Sequence, residues 1–67
     1  MSVAKITEIS SESTQSFEHA MKDGIARAAK TIQNIQGAWI KEQQLVVKDG
    51  KVTTYRVTMK VTFVLKD

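Results

Sequence analysis

The C-terminal part of the chain alternates between apolar and polar residues. From Tyr55 to Leu65 the odd positions carry Tyr, Val, Met, Val, Phe and Leu, and the even positions through Thr62 are Arg, Thr or Lys. A period of two predicts a strand with one buried face. A second strand-like segment begins at Ala38, and the Asp49-Gly50 pair between the two predicts a two-residue type I′ hairpin turn, which needs positive φ at both positions.

This tight turn predicts which residues face each other. Counted outward from the turn, the facing pairs include Leu45 with Thr54, Gln43 with Arg56, Lys41 with Thr58, and Trp39 with Lys60. Directly opposed residues lie on the same side of a sheet. Trp39, the only tryptophan, is therefore predicted on a polar face together with Leu45. A one-residue bulge between these two positions would reverse the side on which Trp39 lies.

The first half of the chain predicts a strand followed by a helix. Val3–Ser10 resembles a strand, and Ser13 is the predicted N-cap of the helix because its hydroxyl can accept a first-turn amide. From Phe17 to Ile35 apolar residues recur at spacings of three and four, which is typical of a helix lying on a sheet. Gly24 falls within this apolar stripe, where a close helix-to-sheet approach would explain it.

The predicted element order is strand, helix, strand, strand, which makes the chain an α+β protein. A helix that joins two strands of one sheet favours a right-handed crossover, parallel alignment and an intervening strand. We therefore expect the last strand to lie between the first and the second, in a three-stranded sheet wrapped on one helix. The chain is predicted to be a single domain, residues 1–67, with the face that carries Trp39 bare.

Length and composition favour self-association. A chain of 67 residues supports only a small hydrophobic core, and small domains usually add disulfides, a metal or oligomerisation. There is no cysteine and only one histidine, so disulfides are excluded and no metal site is predicted. No apolar run approaches membrane-spanning length and no signal-peptide pattern opens the chain, so a cytoplasmic protein without a membrane partner is expected.

Charge and motifs argue against catalysis and against a dedicated nucleic-acid surface. The net charge is +3, but the lysines and arginines are scattered rather than clustered, which is typical of solvated surface. No nucleophile-and-base arrangement, phosphate loop or metal-ligand spacing is present, so no enzyme is predicted. His19 is expected to face solvent on the far side of the helix.

Trp39 has two interpretations. It could pack against another subunit, as buried aromatic residues often do, or it could stack on a flat heteroaromatic ligand. One such stack supplies about 1–3 kcal/mol, whereas micromolar binding needs about 8 kcal/mol. A second copy of Trp39 across a twofold axis would sandwich the ligand, so both interpretations require the same contact between subunits.

At these residues the chain resembles the dodecins, small flavin-binding proteins of bacteria and archaea. The resemblance covers essentially the whole chain and is carried by SVAKITEIS, GIARAAKTIQNI, GAWIKEQ and TYRVTMKVTFVL. It implies a hollow homododecamer in which each subunit wraps a three-stranded antiparallel sheet around one helix. It also implies non-catalytic storage of FMN, riboflavin or lumichrome against the tryptophan that matches Trp39, near twofold axes. The predicted flavin-binding residues are Trp39, Arg56, Gln43, Lys41, Leu45 and Thr58.

Arg56 departs from the flavin-binding pattern that this resemblance implies. Well-known flavin binders have glutamine there, which can both donate to and accept from the pyrimidine edge of the ring. A guanidinium has donors and no acceptor. We predict that Gln43, placed opposite Arg56, supplies the missing acceptor.

A second departure concerns the phosphate. The arginines of many bacterial dodecins in an IRG-like segment of the second strand are not matched, because this chain reads KEQQLVV. That favours riboflavin or lumichrome over FMN. Two alternatives remain open: a dodecin-like structural or calcium-binding shell without flavin, and a single-stranded nucleic-acid binder that uses Trp39 and the basic sheet face.

Overall fold

A computed structural model describes residues 3–65, which form three strands and one helix. The elements in chain order are β1 (Val3–Ser13), α1 (Phe17–Ala28), β2 (Ile35–Lys48) and β3 (Lys51–Leu65). The sheet has the order β1-β3-β2, and both outer strands run antiparallel to β3. The predicted β-α-β-β order with the last strand in the centre is confirmed.

The core lies between α1 and the odd-numbered side chains of β3. Its fully buried apolar residues are Ala20, Val57, Met59 and Val61, and the partly buried side chains packed against it are Ile9, Phe17, Met21 and Ile25. The rings of Phe17 and Tyr55 meet edge to face at a centroid distance of 5.2 Å. The alternation of β3 therefore points one set of side chains under the helix and the other set away from it.

Gly24 marks the closest approach of α1 to the sheet. A Cβ at this position would lie 2.7 Å from Met59 Cε and 2.9 Å from Ser11 Cβ, both inside ordinary contact distance. Gly24 is itself buried. The absent side chain allows the helix axis to lie close to β1 and β3, as the sequence predicted.

The ends of α1 differ from the prediction. Ser16, not Ser13, is the N-cap: its backbone is extended, with φ −170°, and its Oγ accepts the His19 N–H at 3.0 Å. Ser13 is instead the last residue of β1, and its Oγ accepts the Gln15 N–H at 3.0 Å. Both serines precede the helix, and the longer β1 moves the cap by three positions.

The helix ends at Ala28 rather than at Ile35. Asn34 has a left-handed φ of 64°, and its carbonyl accepts the Val64 N–H at 3.1 Å, which ties the returning chain to β3. Ile35 then begins β2. The helical spacing of the apolar residues continues past the true end because the following turn also buries isoleucine side chains in part.

The hairpin turn has the predicted geometry, but the ladder beyond it has three register shifts, two of them between the turn and Trp39 and the third between Ile35 and Gly37. Asp49 and Gly50 have φ values of 52° and 76°, as a type I′ turn needs. One register shift falls between the pairs of Val46 and Val47 and leaves Thr53 as the extra residue on β3; a second makes Lys41 the extra residue on β2. These two shifts cancel, so Trp39 does face Lys60 as predicted.

Between the two bulges the predicted register is wrong by one residue. Gln43 faces Val57 and Leu45 faces Tyr55, so both lie on the side of the sheet against which α1 packs, not on the side of Trp39. Gln44 takes the place opposite Arg56. The bulge at Thr53, where Oγ1 donates to the Val46 carbonyl at 3.2 Å, causes the error.

The helix covers only part of its face. Leu45, Val47 and Val52 lie beyond it on the hairpin and are 48%, 57% and 44% exposed. These three residues form what we call the hairpin patch. A single subunit thus leaves apolar surface in water on both sides of its sheet. Within residues 3–65 no helix has the length and apolar content needed to cross a membrane.

Replacing Gly24 with alanine tests the close helix-to-sheet approach. The substitution improves helix propensity by about 1 kcal/mol, but overpacking against Met59 and Ser11 costs about 1–3 kcal/mol. We expect Gly24→Ala to lower the free energy of unfolding, measured by denaturant titration at fixed protein concentration. The control is Lys22→Ala at an exposed position of α1, which should change stability by under about 0.5 kcal/mol. A Gly24→Ala variant more stable than the parent would contradict this packing.

Candidate ligand-binding site

The side of the sheet away from α1, called the open face here, carries polar side chains in rows across the three strands. Its three central rows, each written from β1 through β3 to β2, are Glu8–Lys60–Trp39, Ser10–Thr58–Glu42 and Glu12–Arg56–Gln44. Successive rows lie two residues apart along β3, so the first and third are separated by about 13 Å. Each row combines residues that are far apart in sequence.

Trp39 lies at one end of this face. It is on the edge strand β2 and its side chain is 47% exposed, which leaves much of the indole uncovered within its own subunit. A large aromatic ring in this state offers a flat apolar surface for stacking. The prediction that Trp39 lies on the polar face is confirmed.

Lys41 crosses the open face toward β1. Its Nζ lies 3.3 Å from Oε1 and 3.4 Å from Oε2 of Glu8. Lys41 is the extra residue of the β2 bulge, and the bulge places its side chain on the same side as Trp39. The ammonium charge of Lys41 is therefore balanced by a carboxylate.

Arg56 lies in the third row between an acid and an amide. Its Nε and Nη2 donate to Glu12 Oε1 at 3.0 and 2.8 Å, and its Nη1 donates to Gln44 Oε1 at 3.5 Å. The guanidinium has further donors, one N–H on each of Nη1 and Nη2, that these contacts do not use. Among residues 3–65, Glu12 Oε2 accepts no hydrogen bond. The row therefore presents donors and an acceptor side by side.

The open face suits a flat, fused ring system that has one polar edge. The indole of Trp39 can hold the ring plane, Thr58 lies in the row between, and Arg56 with Glu12 can bind an edge that carries both carbonyl oxygens and an N–H. The isoalloxazine ring of a flavin has this shape and this edge. The residues present fit a flavin.

The predicted site residues divide between the two sides of the sheet. Trp39, Lys41, Arg56 and Thr58 share the open face, whereas Gln43 and Leu45 do not. Sequence reasoning missed Glu8, Glu12, Glu42 and Gln44, which the structure adds to the open face. Glu8 and Glu12 were detectable: they have the same parity on β1, and an antiparallel pairing with β3 that opposes charges places them across from Lys60 and Arg56.

Comparison with known proteins identifies the family. The family model described as Dodecin matches residues 3–66, nearly the full length of the chain. The chain belongs to the dodecin family. Solved dodecin structures agree: the dodecin from Streptomyces davaonensis is 30% identical, with 98% of this chain and 97% of that chain covered, at a TM-score of 0.93. A Thermus thermophilus dodecin mutant in which a tryptophan is replaced by phenylalanine is 28% identical over the full length of both chains, also at a TM-score of 0.93.

Another relative is named for a metal ion, calcium. The calcium dodecin of Mycobacterium tuberculosis is 32% identical over 66 residues, which cover 98% of this chain and 93% of the relative. Its crystal structure, described as that of a calcium-chelating antigen with a novel calcium-binding site, superposes at a TM-score of 0.82, with 96% of this chain and 91% of that chain covered. In the part of this dodecin that the structure describes, no three histidine, cysteine, aspartate or glutamate side chains converge on one point.

Removing the charge of Glu12 tests how much the Arg56 ion pair contributes to folding. Both side chains are substantially exposed, at 39% for Arg56 and 49% for Glu12, so the pair should contribute under about 1 kcal/mol. We expect Glu12→Gln to change the free energy of unfolding by less than this, with Glu8→Gln as the matched control on the same strand. A loss of several kcal/mol in thermal or denaturant unfolding would show that the third row is a structural element.

Proposed function

We propose that this dodecin is a non-catalytic flavin-binding protein that holds its ligand between paired subunits. The observation that carries the proposal is Trp39, which lies half exposed on the open face and is uncovered by its own subunit. Arg56 and Glu12 lie on the same face, two rows further along β3. Membership of the dodecin family supports the proposal.

Binding strength requires a second subunit. One aromatic stack provides about 1–3 kcal/mol, and a copy of Trp39 from a neighbouring subunit would stack on a ligand from the other side. The hairpin patch supports self-association, because its apolar side chains are left in water by a lone subunit. We propose a homododecamer, as the family resemblance implies, with the ligand at twofold contacts.

The charges of the open face favour uncharged flavins. Lys41 and Arg56 each lie within ion-pair distance of a glutamate, so a phosphate that approached either cation would also meet a carboxylate. This repulsion should weaken FMN relative to riboflavin and lumichrome. Thr58 and Lys41 would line the ligand, and Trp39 would stack on it.

A fluorescence titration tests the proposal. Added riboflavin or lumichrome should quench the emission of tryptophan, and the emission of the bound flavin should fall as well. Both changes should saturate near one ligand per subunit. FMN should bind more weakly. Riboflavin that leaves both emissions unchanged would end the flavin proposal.

Substitution of Trp39 separates stacking from subunit packing. Trp39→Leu keeps an apolar side chain but removes the π surface, so we expect about a tenfold or greater loss of riboflavin affinity with the oligomer intact. Trp39→Phe should lose less. Affinity is measured by the emission of the flavin, and size by sedimentation. A smaller assembly with unchanged affinity per assembled subunit would assign Trp39 to packing alone.

Calcium binding is the second candidate, favoured by the calcium dodecin of M. tuberculosis, which is 32% identical to this chain. Calcium prefers oxygen ligands. Within residues 3–65 no three acidic side chains of one subunit converge, so a calcium site would have to combine carboxylates from more than one subunit. Calorimetric titration with CaCl₂, with and without riboflavin, tests this role. Calcium binding without any flavin response would favour a calcium shell, and salt-sensitive binding of oligonucleotides alone would favour a nucleic-acid binder.

A further inference from the structure

The polar edge of a flavin needs both donors and an acceptor. The pyrimidine edge of isoalloxazine carries an N–H between two carbonyl groups, which is an imide. Arg56 can donate to a carbonyl but cannot accept the N–H. A site that holds this edge through Arg56 therefore needs an acceptor next to the guanidinium.

Two side chains beside Arg56 carry acceptor oxygens. Gln43, predicted from sequence for this role, faces Val57 on the other side of the sheet. Gln44 faces Arg56, and its Oε1, which accepts from Nη1 at 3.5 Å, is a neutral amide oxygen. Glu12 uses only Oε1 to receive the two N–H groups of Nε and Nη2. Its second oxygen accepts no hydrogen bond from residues 3–65 and carries charge, which makes it the strongest acceptor beside the guanidinium.

We propose that Glu12 is a specificity-determining residue that accepts the imide N–H of the ligand through Oε2, while Arg56 donates to the neighbouring carbonyl. This inference rests on the proposed flavin site. The Glu12–Arg56 pair lies directly across two hydrogen-bonded strands, which fixes the donor and the acceptor relative to each other.

The charge of Glu12 makes this contact selective. A hydrogen bond to a carboxylate is stronger than one to a neutral oxygen, and a ligand that lacks the N–H would leave the oxygen without its partner. Sites that hydrogen-bond a ligand N–H discriminate strongly against analogues that lack it. Glu12 would thus select imide-bearing rings over other flat aromatic molecules that Trp39 alone could stack.

Riboflavin and 3-methylriboflavin, in which a methyl group replaces the imide hydrogen, test this assignment on the intact assembled protein. The affinity of each ligand is followed separately, because an analogue whose methyl group clashes with Glu12 would bind more tightly in Glu12→Ala, whereas loss of the acceptor weakens riboflavin. We expect the unsubstituted chain to bind riboflavin at least about tenfold more tightly than the methyl analogue. In Glu12→Ala this ratio should fall to near one, because riboflavin affinity drops to that of the analogue. Glu12→Gln, which keeps a neutral acceptor, should restore part of the ratio.

Two control variants isolate the acceptor from the charge and from its neighbour. Glu8→Ala removes the same charge and an ion pair from the same strand and the same face, and it should leave the ratio unchanged. Gln44→Leu removes the other amide next to Arg56 and should also leave it unchanged. Circular dichroism and sedimentation of every variant confirm that fold and assembly are intact.

The possible outcomes separate the two proposals. Equal binding of riboflavin and 3-methylriboflavin, or a ratio that survives Glu12→Ala, overturns the role of Glu12 and leaves the flavin site standing. A ratio that collapses in Glu8→Ala as well assigns the effect to charge and also overturns it. If the unsubstituted chain binds neither flavin, the proposed function fails and this inference fails with it.

Discussion

The packing of α1 against one side of β3 is the interaction on which the rest of the structure depends. It buries Val57 and Met59 against Ala20, and Gly24 allows the helix backbone to approach closely. Because successive side chains of a strand point to opposite sides, the same contact sends Arg56, Thr58 and Lys60 to the open face. One helix cannot cover both sides of a three-stranded sheet, so burial of the core and exposure of the candidate site have one cause.

Much of the fold could be predicted from sequence because β3 alternates without interruption and Asp49-Gly50 fixes the turn. The strand order followed from the crossover, which favours an intervening strand, together with the hairpin that pairs β3 with β2. The two bulges were not predictable by the same reasoning: from Lys41 to Gln44 the chain is polar throughout, so no apolar residue marks which side chain belongs to which face. In this run the sequence places Gln43 opposite Arg56, whereas in the structure Gln44 faces Arg56. The placement of Trp39 was nevertheless right, because the second bulge cancels the first.

In the candidate site, the local sequence pattern predicts some residues, and others can be found only once the pairing of distant strands is known. Trp39 and Arg56 were recognisable from one hairpin, whose two strands are adjacent in sequence. Glu8 and Glu12 enter through β1, which pairs with β3 from the other end of the chain. The sequence alone predicts a basic face, but Lys41 and Arg56 each pair with a glutamate from β1. The positive and negative charges of the open face are therefore balanced. A balanced polar face with one exposed indole is better suited to a neutral aromatic ligand than to a polyanion.

The two bulges between the turn and Trp39 compensate each other. Thr53 adds one residue to β3 and Lys41 adds one to β2, so the facing pairs between them are displaced by one residue and the register is restored at Trp39. Straightening either bulge with its extra residue kept in the ladder would move every later pair by one position and turn Trp39 toward the helix side. Removing Lys41 itself would instead close the strand into a regular ladder in which Trp39 still faces Lys60. The aromatic surface therefore depends on the backbone conformation at Lys41 and Thr53 as well as on the tryptophan.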